Sequence, residues 1–224
     1  VRVPWLADVL RGAGLTVIET SGWKGRGRDL TGVSGVIWHH TATGPGTSDA
    51  AVDSLLINGR QDLPGPLCQL GLDRGGRFHV IADGKGNHNG YGTWGNNSIG
   101  IEAFNSGVGE PWPSGQVDAY VAGTRAILTH LGLPLDRMLG HKESDPGRKI
   151  DPAGLDMNDM RRRVAEGDDM PLTADDHFAI QTYVRQIVKD ELDAAVKRLA
   201  AHDTATDKSV KKAVLEALAE GNGG

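Results

Sequence analysis

Glycine is spread unevenly along this chain, and the unevenness divides it. Of 32 glycines in 224 residues, 29 lie in residues 1–170 and none in 171–220; the last three are Gly221, Gly223 and Gly224. All five tryptophans fall at or before Trp112, and the last proline is Pro171. A chain with about twice the usual glycine share could be collagenous or disordered. No Gly-X-Y period is present, and 38% of the residues are hydrophobic, so both are excluded. The change near residue 170 predicts two regions, 1–170 and 171–224.

Short apolar runs in the first region are bounded by turn residues. Gly35 to His39, Leu67 to Leu72, Arg77 to Ala82 and Ser98 to Phe104 are expected to be strands, with Asp73-Arg74-Gly75-Gly76 closing a hairpin. Helical spacing marks Trp5 to Leu15, a segment from Ser48 or Asp49 to about Asn58, Gln116 to Leu131, and Met157 to Glu166 capped by Asp156. Strands alternating with helices predict an α/β fold with a central sheet. Segments 41–48, 83–97 and 140–156 are long polar loops, and such loops carry function more often than cores do.

The formal net charge is −5, which disfavours a nucleic-acid partner, since such proteins show basic stripes. Residues 168–224 hold 11 acidic and 7 basic side chains, so the rest is nearly neutral. No run approaches the 18 apolar residues of a membrane span, so no membrane insertion is expected. The lone cysteine, Cys68, excludes an internal disulfide. The start, Val1-Arg2-Val3-Pro4-Trp5, carries no apolar leader core; because it begins with Val, that reading concerns this chain and not a gene product.

Three segments carry histidine in suggestive settings: Val36-Ile37-Trp38-His39-His40-Thr41, Asn87-His88-Asn89-Gly90, and Gly140-His141 through Lys149-Ile150-Asp151-Pro152. Ser98-Ile99-Gly100-Ile101-Glu102 places one acid in an apolar strand. Taken singly, each has a plain explanation. His39 fits a structural histidine, Glu102 an exposed acid on an edge strand, Lys149 a solvated lysine and Asp151 a turn starter before Pro152. Together they form a chemically complete set. Two imidazoles and a carboxylate suit zinc with one position left for water. A second carboxylate can act as base, and a lysine can stabilise an oxyanion.

This ordered set resembles the zinc N-acetylmuramoyl-L-alanine amidases related to peptidoglycan recognition proteins and phage amidase lysins, through most of residues 30–155. A strand ending in His-x-Thr matches His39 and Thr41, a Gly-His matches His141, and Pro-Gly-Arg-Lys-x-Asp-Pro matches Pro146 to Pro152. The resemblance implies one Zn2+ ion held by His39, His141 and Asp151, with Glu102 and Lys149 catalytic and His88 near the substrate. It implies a central mixed β-sheet flanked by helices over 1–170, and hydrolysis of the amide joining N-acetylmuramic acid to L-alanine in bacterial peptidoglycan. An endolysin of this kind waits in the host cytoplasm and then acts on the cell wall; a bacterial autolysin is the other source. A peptidoglycan-binding module without catalysis and a zinc endopeptidase remain as alternative functions.

The sequence departs from the family at one place. Many members carry Tyr-His where Cys68-Gln69 stands here, so no tyrosine role transfers and the base function falls on Glu102. Cys68 is a rival ligand with apolar neighbours, read here as structural; His40 is read as support or packing. Trp94 and Trp112 lie on loops and suit either sugar stacking or packing. In the tail, Thr173 with Asp176 starts a helical stripe through Ile180, Val184, Leu192 and Leu199, interrupted at Asp203 to Asp207 and resumed at Val210, Val214 and Leu218. A helical hairpin and a self-associating coiled coil both fit it.

Overall fold

The apolar runs become the middle of one sheet. A computed structural model of the chain describes residues 1–167 and positions 189 and 192. The hairpin or coiled coil expected for 171–224 lies outside the described residues. In chain order the elements are α1 (Leu6–Gly12), β1 (Val17–Glu19), β2 (Val36–His40), α2 (Asp49–Asn58), β3 (Gly59–Arg60), β4 (Leu63–Pro64), β5 (Leu70–Leu72), β6 (Phe78–Val80), β7 (Ile99–Ala103), α3 (Ser114–Leu131), β8 (Met138–Gly140), α4 (His141–Ser144) and α5 (Met157–Glu166). Strands β3 and β4 pair only with each other; the other six form one sheet in the order β1-β6-β5-β7-β2-β8. Within that sheet only β5 and β6 run antiparallel, as the expected hairpin. The remaining pairs are parallel, so the sheet is mixed. The α/β architecture with helices flanking a mixed sheet is thus what the chain forms.

Strand alternation sends side chains to two different layers. Val36, Trp38, Leu70, Leu72, Ile99 and Ile101 join residues of α1, α3 and α5 in the larger core. On the opposite face Val52 and Leu56 of α2 pack with Cys68, Ile81 and Phe104. Fully buried Trp38 stacks on Tyr120 of α3 with ring centroids 3.6 Å apart, and its Nε1 donates to Thr124 Oγ1 at 2.8 Å. Such an aromatic pair adds about 0.5–1.5 kcal/mol beyond its buried area, which fixes β2 on α3.

Helix starts follow the expected caps. Ser48 Oγ accepts the Ala51 N–H, and Asp156 accepts the N–H groups of Asn158 and Asp159. Helix α3 stops at Gly132, whose φ of 62° is left-handed. Among the described residues no helix is long and apolar enough to cross a membrane.

Candidate metal centre and cleft

Because Val36 and Trp38 enter the large core, Ile37 and His39 point to the α2 face. Strand β8 runs parallel to β2 with Trp38 opposite Gly140, so His141, the next residue, starts α4 close to His39. Gly140 has no room for a side chain: a Cβ there would lie 3.0 Å from Pro152 Cδ and 3.1 Å from Met157. That close approach explains the glycine before the histidine. The loop carrying Asp151 is tied down at several points. Lys142 N–H donates to Asp151 O at 2.7 Å, Ala153 N–H to His40 Nδ1 at 3.1 Å, and Trp112 Nε1–H to Ala153 O at 2.8 Å.

Three donor atoms converge as a result. His39 Nδ1 lies 3.0 Å from His141 Nδ1 and 2.9 Å from Asp151 Oδ2, and His141 Nδ1 lies 3.0 Å from the same oxygen. Two ligand atoms about 2.0–2.1 Å from one tetrahedral zinc are roughly 3.3 Å apart, so these spacings are slightly tighter than a filled site. All three residues are buried. Burial pushes His39 down to about 4, against the opposing pull of Asp151, so its imidazole is neutral at pH 7. Burial raises the Asp151 carboxyl, but hydrogen bonds from His141 and His39 outweigh it and hold the group well below the usual carboxylate range. A neutral imidazole and an ionised carboxylate are the forms that bind metal. Donor type, protonation and spacing all fit one divalent ion.

The same cavity, about 210 Å3, is lined by His39, His88, Glu102, His141, Lys149 and Asp151. Every site residue expected from the sequence therefore meets in one place. Glu102 is the register partner of His39 on the neighbouring strand, in the interior of the sheet and not on an edge. Its Oε2 is buried without a hydrogen-bond partner among the described residues. Burial, reinforced by Asp151, pushes its carboxyl up to about 8, with Lys149 and Arg60 opposing. His88 lines the cavity, yet both its ring nitrogens bond protein: Nδ1 lies 3.0 Å from His39 Nε2 and Nε2 lies 3.1 Å from the Ser98 carbonyl. Cys68 is not among the converging donors; it is fully buried, and burial raises its thiol well above the ordinary value, next to Glu102.

One other group of acids and histidine comes together among the described residues, Asp49, Asp73 and His79. Its bonding is that of an ion-pair network. His79 Nδ1 meets Asp53 at 2.8 Å and Nε2 meets Asp73 at 3.2 Å, while Arg77 pairs with Asp73 and Asp49. Burial disfavours the His79 cation, but the two carboxylates prevail and raise it to about 9. A protonated imidazole offers no lone pair to a metal.

Several supporting residues carried no sequence signal for their role. Tyr120 lies in the helix expected over Gln116 to Leu131; its hydroxyl accepts the His39 N–H at 2.8 Å and donates to Ile101 O at 2.6 Å, joining β2 to β7. Asn96 Oδ1 accepts the N–H groups of His88 and Asn89 and crimps the loop between them. Ser144 Oγ donates to Asn89 Oδ1 at 2.8 Å and couples that loop to α4. Gln69, in the place where the family often has a histidine, accepts the Gly100 N–H at 2.8 Å and donates to Gly84 O at 3.0 Å. Trp94 packs where a Gly35 Cβ would sit, and Trp112 packs against the large core.

Comparison with known proteins bears on the same residues. No curated protein matches the sequence. Among solved structures the chain is similar to AmpD (21% identity, covering 66% of this chain and 93% of that one, TM-score 0.51). It is also similar to the amidase LysC from Clostridium intestinale URNW (14%, 67% and 97%, TM-score 0.52). A third likeness is to the Ph2119 endolysin from Thermus scotoductus MAT2119 bacteriophage Ph2119 (15%, 66% and 98%, TM-score 0.50). At these identities the likenesses establish the fold. The family profile described as N-acetylmuramoyl-L-alanine amidase matches residues 29–154, more than half of the chain, and spans the six site residues expected from the sequence. On that match, the chain belongs to the N-acetylmuramoyl-L-alanine amidase family of enzymes.

Proposed function

We propose that this protein is a zinc-dependent endolysin that cleaves the amide between the lactyl group of N-acetylmuramic acid and L-alanine in bacterial peptidoglycan. The observation that carries the reading is the meeting of His39, His141 and Asp151 with Glu102 and Lys149 in one cavity. Zinc held by the first three would lower the pKa of the attacking water toward about 7 and would polarise the carbonyl as a Lewis acid.

The chain's own residues do the rest. Glu102 has a buried oxygen with no protein partner, so that oxygen is free to take the proton of the attacking water. The same carboxyl then returns the proton to the alanine nitrogen as the C–N bond breaks. The Lys149 ammonium, on the cavity wall, opposes the negative charge that grows on the carbonyl oxygen. The products are a free lactyl carboxylate and a new alanine amino terminus. A binding module without catalysis has no use for a buried unpaired base beside a three-ligand site, which favours the enzyme.

Product analysis of digested peptidoglycan tests this reading. New N-terminal alanine is expected. New reducing sugar ends, or other amino termini as from an endopeptidase, refute it. The endolysin role predicts that cells producing the protein internally stay intact until their membrane is permeabilised, and then lyse.

A further inference from the structure

We propose that a second cavity beside the cleft binds carboxylates of the peptide that follows L-alanine in the substrate, through Arg28 and Lys85. This cavity, about 370 Å3, is bordered by residues that include Arg26, Arg28, Asn58, Pro66, Lys85 and Asn87. Three of its residues are cationic, and among the described residues no carboxylate lines it. Arg26 donates its guanidinium N–H groups to Thr20 Oγ1 and to the carbonyls of Ser21 and Ile81. The side chains of Arg28 and Lys85 have no hydrogen-bond or ion-pair partner among the described residues. Carboxylates are not scarce in this chain, whose acids outnumber its Lys and Arg by 29 to 24. Arg2, Arg11, Arg74, Arg77 and Arg161 each hold one. The two acids nearest in sequence, Asp29 and Asp83, both pair with Arg2.

The backbone sets the two free cations side by side. Arg28 and Lys85 face each other across an antiparallel bridge, and Lys85 N–H donates to Arg28 O at 2.6 Å. Residues opposite each other in such a pair project to one face, and like charges there are destabilising. The close approach is built in by glycine. A Cβ on Gly27 would lie 2.6 Å from Lys85 O, and one on Gly84 2.7 Å from Arg28 O. An anion between the two side chains removes the repulsion, and a carboxylate suits a guanidinium through paired hydrogen bonds. The last carbonyls of α2 do not oppose it: Leu55, Leu56 and Asn58 O accept the N–H groups of Gly59, Leu67 and Gly65. The cavity meets the cleft at Asn87, which lines both. In the substrate of the proposed reaction the lactyl carboxyl is tied up in the amide and the N-acetylated sugars are neutral. The peptide's own carboxylates are therefore the anions that this cavity can take, and amidation removes them.

The inference rests on the amidase reading, and the test separates the two. The substrates are N-acetylmuramoyl peptides whose carboxylates beyond L-alanine are either free or converted to carboxamides. The full zinc-loaded chain is expected to cleave the free-acid form with about tenfold higher kcat/KM, mostly through KM, and added salt is expected to shrink that ratio. In the double variant Arg28→Gln/Lys85→Gln the ratio is expected to fall close to one, whereas Arg28→Lys keeps most of it. Calorimetry with the same peptides lacking the muramoyl group, which offer no bond to cut, is expected to show the same preference. A wild-type ratio near one overturns the proposal, and that measurement needs no variant to fold. A ratio unchanged in the double variant overturns it as well, because other groups then read the charge. Acid-selective peptide binding without any cleavage of the muramoyl amide would sink the amidase reading and leave the cavity's role standing.

Discussion

At the residue scale the proposed chemistry depends on one carboxyl that does not pair. Glu102 faces a cavity, stands beside His39 on the next strand, and is pushed up to about 8 first by burial and then by Asp151. At pH 7 it therefore keeps its proton in most metal-free molecules. A divalent ion next to it reverses that balance and releases the proton. At pH 7 Glu102→Gln should thus release up to about one proton fewer than wild type for each zinc bound, read by calorimetry in buffers of different ionisation enthalpy. The same variant should retain zinc while its activity on purified cell walls falls about 10²–10⁴-fold. Activity near the wild-type level would assign the base elsewhere. His39, His88, Glu102, His141, Lys149 and Asp151 were legible before the fold because each is a polar group in an apolar strand or an ordered loop motif. Tyr120, Asn96 and Gln69 were not, since a helix-face tyrosine and loop amides look alike whether they bond a site or merely pack.

At the scale of elements, legibility followed length and caps. Strands β2 and β7, helices α2, α3 and α5, and the β5–β6 hairpin stood where periodicity and capping residues put them. Strands β1 and β8 escaped because three residues show no alternation; they are strands because β6 and β2 pair with them. The cost was specific, since β8 is what brings His141 to His39. The hairpin is also shorter than its apolar run, and Gln69 turns its side chain to the Gly100 N–H. Between α2 and this hairpin lies the His79 network. His79 is raised from 6.5 to about 9 in the fold, so its contribution to stability is fully present below pH 6.5 and disappears as pH rises through 9. Removing one partner from a buried pair costs about 3–5 kcal/mol. His79→Gln should show a deficit of that order at pH 6 that narrows by pH 9.5, measured by urea denaturation. A gap independent of pH across that window would mean a neutral His79.

At the scale of the whole molecule the proposed metal site would be a fastener as well as a reaction centre. The three converging donors come from the central strand β2, the start of α4 after edge strand β8, and the 145–156 loop. The unfolded chain separates them widely, His39 from His141 by 102 residues and from Asp151 by 112. On the proposed reading, zinc would therefore bind the folded chain in strong preference and add stability by mass action, about 4 kcal/mol when free zinc is a thousandfold above its Kd. For a domain of this size each kcal/mol moves Tm by about 2–4 °C. Chelation should thus lower Tm by about 8–16 °C, and zinc should restore it. Asp151→Ala should abolish that response. Cys68→Ala should keep it, even though losing a buried side chain lowers the baseline Tm, because the thiol stands outside the converging donors. A zinc response lost in Cys68→Ala but kept in Asp151→Ala would move the third ligand from the late loop to the strand region beneath Gly86.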